Sequence, residues 1–231
     1  MKNFASTLIL FIASLALGCS AQAQKSEMQK EMKTETMKVS AVTAEAAAEN
    51  ALKVGAVAPS FSLADSNSKT VTSAELFEQG NIVLVFYRGA WCPFCNTYLR
   101  KMQQNLGAIK ENGGVLVAVS VENPDLSIDV VNKNKLDYTV LTDTNLELAR
   151  KFGLVFQLPD DTNKKYIEYG IDLAKRNSME KAELPISATY VIGKDGKIAY
   201  AFLDPDYKKR AEADKVIETL KDLKAQKTMT K

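Results

Sequence analysis

The five residues Trp91-Cys92-Pro93-Phe94-Cys95 place two cysteines three positions apart. They follow an apolar run at 81–87, which predicts a buried strand, and they precede a segment at 96–104 that predicts a helix. A cysteine pair at a strand-to-helix turn is typical of thiol–disulfide chemistry. Three positions of helix bring both sulfurs to one face, close enough to bond. The sequence therefore predicts that Cys92 and Cys95 form a catalytic redox pair.

The position of the pair also predicts its reactivity. A helix N-terminus carries about half a positive charge and free N–H groups, and both favour a thiolate over a thiol of pKa ~8.5. Pro93 suits the first turn because its missing N–H would be unpaired there anyway. Trp91 is expected to shield the pair, and Arg88 to stabilise a thiolate. The structural alternatives are a packed aromatic for Trp91 and, for Arg88, an ion pair with Glu122 or Asp143.

The composition limits the classes of function that the chain can have. With 231 residues, 46% of them hydrophobic and 25% charged, the chain fits one globular domain. Histidine is absent, which excludes Ser-His-Asp and Cys-His hydrolases and sites with histidine-ligated zinc or haem. We therefore expect neither a metal nor an organic cofactor. The net charge of +2 gives no basic footprint, so no nucleic-acid partner is expected.

The N-terminus has the pattern of a targeting segment. The apolar run at 8–17 is too short to span a bilayer, and Ala21-Gln22-Ala23 fits a cleavage site, so residues 1–23 are predicted to be a signal peptide. We accordingly expect an exported, periplasmic protein. The alternative is a lipoprotein signal, because residues 15–19 resemble a lipobox ending at Cys19. Membrane attachment is expected only if Cys19 is lipidated.

Beyond the signal the chain divides into three parts. Residues 24–50 are rich in Lys, Glu, Met and Ala, which predicts a low-complexity tether or a frayed helix. Residues 51–225 are predicted to be the folded domain, and residues 226–231 a basic tail.

Within the domain, short alternating runs at 61–63 and 70–72 predict an N-terminal β-hairpin. The apolar run at 115–121 predicts a strand parallel to the one before the cysteines, joined to it by a right-handed crossover. The later predicted elements are a helix at 124–135, a strand at 138–141, a helix at 144–152, a polar irregular insertion at 154–183, a hairpin formed by 188–192 and 198–202, and a final helix at 206–223.

This order of elements resembles the thioredoxin-like fold. More specifically, residues 57–63, 86–95, 189–196 and 203–207 resemble the AhpC/TSA peroxiredoxin-like, or redoxin, family. The resemblance spans roughly residues 55–222 of the printed sequence. It implies an α/β fold with a central mixed β-sheet flanked by helices, an N-terminal β-hairpin extension and an insertion before the last hairpin.

The resemblance leaves open which cysteine attacks the substrate. The peroxiredoxin pattern P-x-x-x-[TS]-x-x-C places Cys95 on the peroxidatic cysteine, Cys92 on the Thr or Ser, and Arg88 on the proline. Thioredoxins instead use the first cysteine of W-C-x-x-C, which here is Cys92. The residue that faces the cysteines is a cis-proline in thioredoxins and an arginine in peroxiredoxins, and the matching position here is Ser187.

The family implies a thiol-dependent peroxidase whose Cys92/Cys95 pair cycles through an intramolecular disulfide. Its substrate would be a peroxide, and its reductant a thioredoxin-like or membrane-linked protein. The alternative is a periplasmic thiol:disulfide oxidoreductase, a reductase or isomerase that acts on protein disulfides. A third, non-enzymatic hypothesis is a metal-delivery or redox-sensing module, supported only by Met28, Met32 and Met37 in the tether.

Overall fold

The computed structural model of the protein describes residues 41–229, with side chains as far as residue 226. The strands are β1 (Ser62–Asp65), β2 (Thr70–Thr72), β3 (Asn81–Phe86), β4 (Gly114–Ser120), β5 (Thr139–Thr142), β6 (Val155–Gln157), β7 (Glu183–Pro185), β8 (Ala188–Ile192) and β9 (Ile198–Leu203). The helices are α1 (Ala44–Asn50), α2 (Ser73–Gln79), α3 (Pro93–Gln104), α4 (Leu106–Glu111), α5 (Pro124–Asn134), α6 (Glu147–Lys151), α7 (Asp160–Glu168), α8 (Leu173–Asn177) and α9 (Ala213–Met229). A 3₁₀ turn, Thr144–Leu146, precedes α6.

Seven of the strands form a mixed sheet in the order β2-β1-β5-β4-β3-β8-β9. The strands β3, β4 and β5 run parallel, and the remaining neighbours pair antiparallel. This arrangement confirms the predicted central mixed sheet, the N-terminal hairpin and the closing hairpin. The two remaining strands, β6 and β7, form a separate antiparallel ribbon.

The central strand β3 divides the core into two layers. Because side chains alternate along a strand, Ile82, Leu84 and Phe86 enter one buried cluster, and Val83 and Val85 enter the other. The first cluster packs residues of α1, α2, α6 and the insertion against the sheet. The second packs α3, α4, α5 and α9 against the opposite face. Both faces of β3 are therefore covered, which explains its continuous apolar sequence.

The folded part begins earlier than the sequence analysis predicts. Helix α1 lies inside the predicted tether at 24–50, and its Ala47 is fully buried in the core. The backbone N–H of Gln157 also donates to the carbonyl of Val42 (2.9 Å). Alanine-rich sequence forms helices well and packs closely, so the composition that suggested a tether here makes a helix of the domain. Residues 1–23, Cys19 and most of the tether lie outside the described residues.

The insertion and the last helix also differ from the prediction. Residues 154–183 are predicted to be irregular, yet they contain β6, α7, α8 and the first residue of β7, and Leu154, Leu158 and Leu173 are buried. The last helix begins at Ala213 instead of 206 and runs to Met229, into the predicted tail. The segment before it is irregular, which lets Arg210 reach the cysteines. Within residues 41–229, no helix combines the length and the apolar character needed to cross a membrane.

Candidate active site

The two cysteines lie where β3 passes into α3. Cys92 is the residue that caps the helix, Pro93 is the first helical residue, and Cys95 is in the first turn. The backbone N–H of Cys95 donates to the Cys92 Sγ atom (3.4 Å), as a capping side chain accepts from the first turn. Both cysteines are free thiols and each is only 1% exposed. The structure thus brings the predicted pair together at the predicted strand-to-helix turn.

The surroundings of the pair separate the two pKa values. A hydrogen bond from the Cys95 side chain, assisted by its backbone N–H and by Arg88 and Arg210, outweighs burial and lowers the pKa of Cys92 to about 6. Burial, together with the hydrogen bond to Cys92 and its charge, raises the pKa of Cys95 well above its ordinary value. Arg210 donates from Nη2 to the Cys95 Sγ atom (3.3 Å). Cys92 therefore carries the thiolate, and Cys95 keeps its proton.

Arg88 is buried in a group of aromatic rings. It is 3% exposed, and its Cζ atom lies 4.8 Å from the ring centroid of Trp91, 5.8 Å from that of Tyr166 and 4.4 Å from that of Tyr207. Its Nη2 atom donates to the hydroxyl oxygen of Tyr166 (2.7 Å). In the part of the chain that the structure describes, no carboxylate lies within 4.0 Å of this guanidinium. The charge of Arg88 instead lowers the pKa of Cys92, so the Cys92 thiolate is the anion that this buried cation stabilises.

Neither predicted ion pair of Arg88 forms. Asp143 instead accepts the backbone N–H groups of Leu148 and Ala149 (both 2.8 Å) at the start of α6. Glu122, which follows β4 and is fully buried, binds an arginine of the insertion instead. The alternative reading of Arg88 as half of an ion pair with Glu122 or Asp143 is wrong.

Glu122 fixes the loop that leads to the cysteines. Its Oε1 atom accepts from Nε and Nη2 of Arg176 (both 2.7 Å), and its Oε2 atom accepts the backbone N–H of Ala90. Burial raises the pKa of Glu122, against the opposing effect of Ala90 and Arg176. The carbonyl of Ala90 in turn accepts from Asn96 Nδ2 (2.7 Å) on α3. Both polar groups of the Ala90 backbone are thus anchored, the N–H to Glu122 and through it to the insertion, and the carbonyl to α3.

Gly89 allows this close packing. A Cβ atom at this position would lie 2.4 Å from Trp91 Nε1 and 2.8 Å from the Glu122 carboxyl carbon, and the residue has φ +153°. No side chain fits there without moving the ring or the carboxylate. The absence of a side chain at Gly89 therefore leaves room for the Trp91 ring and the Glu122 carboxylate to pack against the loop backbone.

The last predicted site residue, Ser187, stands beside the loop. The register pairs Phe86 with Ala188, so the preceding Ser187 lies next to Tyr87 at the end of β3. It is buried, and its hydroxyl has no hydrogen-bond partner among the described residues; the same holds for Arg88 Nε and Trp91 Nε1. Buried donors without a protein partner are available to oxygen atoms of a bound substrate.

A groove of about 370 Å³ lies along the first turns of α3, next to Arg210. The groove is lined by Pro93, Phe94, Thr97, Tyr98, Lys101, Lys208 and Arg210. The side chain of Phe94 is 41% exposed there. A larger cavity of about 690 Å³ lies at the amino ends of β3 and β4, lined in part by Asn81 and Gly113, at the opposite end of the sheet from the cysteines. Neither cysteine lines the smaller groove, but its lining residue Arg210 connects it to the pair through the hydrogen bond to Cys95 Sγ.

Three residues of the site were missed in the sequence analysis: Arg210, Tyr166 and Arg176. Each lies more than 50 positions from its partner along the chain, in a segment predicted to be an irregular insertion or part of a lysine-rich helix. The arginines resemble ordinary surface cations in the sequence. Ser187, which stands where the resemblance implies an arginine, is a signal that could have pointed to a cation from elsewhere in the chain.

The separated pKa values predict how the reduced protein reacts with an alkylating agent. The thiolate of Cys92 is present above its pKa of about 6 and disappears as the pH falls through that value. We therefore expect the iodoacetamide rate at Cys92, read by mass spectrometry, to rise to half its plateau near pH 6, against ~8.5 for a free thiol. Free cysteine in the same mixture is the control, and a midpoint near that of cysteine would contradict the assignment.

A mixed sheet of this order, with a buried pair of free cysteines at the start of a helix beside it, is the architecture of a thioredoxin-like protein. The model of the AhpC/TSA family matches residues 54–201, and the chain belongs to that family. Peroxiredoxin Bcp of Escherichia coli strain K12 is 26% identical over 173 residues, which cover 75% of this chain and 98% of the relative.

Two further relatives show the range of the similarity. The thiol-disulfide oxidoreductase ResA of Bacillus anthracis is 23% identical over 162 residues, 70% of this chain and 76% of the relative. The crystal structure of peroxidoxin BcpB from Mycobacterium tuberculosis matches with a TM-score of 0.59 and 21% identity, over 74% of this chain and 97% of that chain. The similarity to the BcpB structure confirms the predicted thioredoxin-like fold.

Proposed function

We propose that the protein is a thiol peroxidase of the peroxiredoxin type, in which Cys92 reduces a hydroperoxide and Cys95 resolves the product. The observation that carries the proposal is the low-pKa Cys92 thiolate beside two arginines that have no carboxylate partner in residues 41–229. Membership of the AhpC/TSA family and similarity to nearly the whole length of Peroxiredoxin Bcp support the same chemistry.

The reaction follows from the two protonation states. The Cys92 thiolate attacks the nearer peroxide oxygen, the O–O bond breaks, and the departing alkoxide or hydroxide takes a proton to leave as alcohol or water. Cys92 is then a sulfenic acid. The Cys95 sulfur attacks the Cys92 sulfur, a disulfide forms, and the sulfenic oxygen leaves as water with the Cys95 proton. A partner dithiol then supplies two electrons and two protons to restore the pair.

The arginines stabilise the charge that moves during the first step. Negative charge passes from the Cys92 sulfur to the peroxide oxygen that leaves, and fixed donors around that path lower the barrier. Arg88 lies beside the pair with an Nε–H that has no partner among the described residues, and Arg210 donates to the Cys95 sulfur. The resemblance implies an arginine at the position of Ser187. In this chain Arg210, in the segment before α9, supplies that cation instead.

The choice of Cys92 as the attacking residue departs from the family pattern, which aligns Cys95 with the peroxidatic cysteine. The physical reason is the hydrogen bond between the thiols: Cys92 accepts the Cys95 thiol proton and the first-turn N–H. At Cys95, burial and this donated hydrogen bond outweigh the opposing effect of Arg210. Only one of two adjacent thiols can ionise near neutral pH, and the acceptor is the one that does.

The alternative, a thiol:disulfide oxidoreductase, is supported by the similarity to ResA. In the reduced state both sulfurs are only 1% exposed, which favours a small oxidant such as a hydroperoxide over a folded protein disulfide as the substrate of the first step. The methionines that suggested a metal-delivery module, Met28, Met32 and Met37, lie outside the described residues.

We extend the proposal to the physiological setting. The protein is exported to the periplasm by a signal peptide at residues 1–23, and it is reduced there by a thioredoxin-like or membrane-linked dithiol protein. The apolar run at 8–17 and the Ala-Gln-Ala site support export. The mass of the mature protein separates cleavage after Ala23 from lipidation at Cys19, and an intact chain starting at Met1 would contradict both.

The experiment that tests the activity is stopped-flow mixing of the reduced protein with hydrogen peroxide. Trp91 is the single tryptophan, and it contacts Arg88 and Tyr166, so its fluorescence reports the oxidation of the neighbouring pair. We expect a peroxide-dependent change far faster than the oxidation of free cysteine. Protein treated beforehand with iodoacetamide is the control. A rate equal to that of cysteine would overturn the peroxidase and favour the disulfide oxidoreductase.

A further inference from the structure

The insertion contacts the active-site loop through polar side chains at two points. Tyr166, on α7, accepts a hydrogen bond from Arg88 Nη2 (2.7 Å). Arg176, on α8, holds Glu122, which holds the backbone N–H of Ala90. Both contacts reach the short loop between β3 and the cysteines. A segment that touches the active-site loop at two points is positioned to influence what that loop presents to the thiols.

The contact at Tyr166 is the more specific of the two. The Arg88 guanidinium is almost fully buried, and its only hydrogen bond within the described chain goes to the Tyr166 hydroxyl. The ring of Tyr166 also packs edge-on against Trp91, with centroids 5.2 Å apart. The ring contact restrains Trp91, whereas the hydroxyl fixes the direction of the guanidinium. These two roles can be separated by removing one oxygen atom.

The helix that carries Tyr166 contributes no fully buried side chain to the core. None of the side chains of α7 is buried. Ile167, within the helix, is 54% exposed, and Tyr169, which follows the helix, is 77% exposed. Tyr166 is half-buried and contacts Arg88 and Trp91. Tyr166 is therefore the residue through which α7 contacts the active-site loop.

We propose that Tyr166 is a positioning residue, which orients Arg88 towards the Cys92 thiolate and so makes the insertion part of the machinery that sets thiol reactivity. The proposal rests on the proposed function in taking Cys92 as the attacking cysteine. Arg176 has the supporting role of anchoring the insertion to the loop through Glu122. Neither Tyr166 nor Arg176 touches a reacting sulfur in the structure; each acts through another residue.

The charged and titratable groups around Cys92 are few. Cys95 faces it from α3, Arg88 from the loop after β3, and Arg210 from the segment before α9. Glu122 stands behind the loop, on the N–H of Ala90. Of the two arginines, Arg210 also donates to the carbonyls of Tyr207 and Lys209, whereas Arg88 stacks on aromatic rings and its one described hydrogen bond goes to Tyr166. Loss of the Tyr166 hydroxyl should therefore weaken the field of one arginine and leave the other in place.

The test is the pH profile of Cys92 alkylation in the reduced Tyr166→Phe variant of the full chain. The ring contact with Trp91 remains, but Arg88 loses its acceptor and turns from the thiolate. We expect the midpoint to rise, so that alkylation at pH 5 falls roughly three- to tenfold, as a shift of about half to one pKa unit requires. The matched control is Tyr169→Phe, the same change three positions along on an exposed side chain, which should leave the profile unchanged.

A second variant shows whether Tyr166 acts through Arg88. In an Arg88→Met background, Tyr166→Phe should produce no further shift, whereas two independent effects would add. An unchanged profile for Tyr166→Phe, an equal shift for Tyr169→Phe, or full additivity with Arg88→Met would each overturn the proposal. Because alkylation involves no peroxide, these outcomes are independent of whether the protein proves to be a peroxidase. Thermal melting of each variant separates a local change from loss of the fold.

Discussion

Cys92→Ser should abolish peroxide reduction, and Cys95→Ser should retain a single turnover. The first change removes the thiolate, so the rate of hydrogen peroxide consumption should fall by at least about 10³-fold, as loss of a nucleophile removes nearly all of the chemical catalysis. The second leaves the thiolate but removes the resolving thiol, so one equivalent of peroxide should be consumed in a burst and Cys92 should remain a sulfenic acid. The measurement is the stopped-flow amplitude per protein molecule, with mass spectrometry of the product.

The paired design identifies the attacking residue whatever the family pattern implies. If Cys95→Ser abolished consumption and Cys92→Ser gave the burst, the assignment made from the cap and the hydrogen bonds would be wrong, and the alignment with the peroxidatic cysteine would be correct. Serine is close in size to cysteine, so both variants should keep the packing around positions that are only 1% exposed. Similar melting temperatures of the two variants would show that the comparison is fair.

Arg88→Met should lower the second-order rate with peroxide by about 10²-fold, which is the usual cost of one preorganised donor at the reacting atoms. The pKa of Cys92 should also rise, because one of the two arginines that lower it is gone. Methionine fills a similar volume among Trp91, Tyr166 and Tyr207. Replacement of a buried charge by an apolar side chain is often neutral for stability, so the melting temperature should change little.

The control for Arg88→Met is Lys208→Met, which removes the same charge from an exposed side chain that lines the neighbouring groove. It should change the rate by less than about twofold, since exposed charges interact weakly across water. A loss in Lys208→Met as large as that in Arg88→Met would mean that the site responds to general charge and not to a placed guanidinium. Arg88→Lys should recover part of the rate, because it keeps the charge but loses the planar fork.

The elements around the cysteines were predictable from the sequence because each carries a local signal. Three local signals each fix a structure within a few positions: the apolar run of β3, the proline and cysteines that open α3, and the apolar runs of β8 and β9. The parallel pairing of β3 with β4 then follows from the crossover between them. Local pattern thus determined the scaffold on which the dithiol lies.

The parts that escaped prediction are held by distant contacts. The polar sequence of α7 has no buried face, so no apolar period identifies it as a helix. Helix α1 is short and alanine-rich, and only its burial against the domain separates it from a linker. Arg210 and Arg176 reach their partners across 115 and 54 positions, and nothing in their neighbours along the chain distinguishes them from solvated cations. Such contacts are properties of the folded chain.

The isolation of Arg88 and Arg210 from carboxylates has a consequence for electron transfer. The reduced site pairs these cations with a thiolate, but the disulfide carries no charge, so each oxidation removes the anion and leaves both guanidiniums uncompensated. The electrostatic balance therefore favours the dithiol whenever Cys92 is ionised. Above a pKa of about 6, the equilibrium with a partner dithiol of ordinary acidity should move towards the reduced protein by about tenfold per pH unit, until the partner itself ionises. An oxidised molecule should consequently be regenerated most readily in neutral to mildly alkaline surroundings.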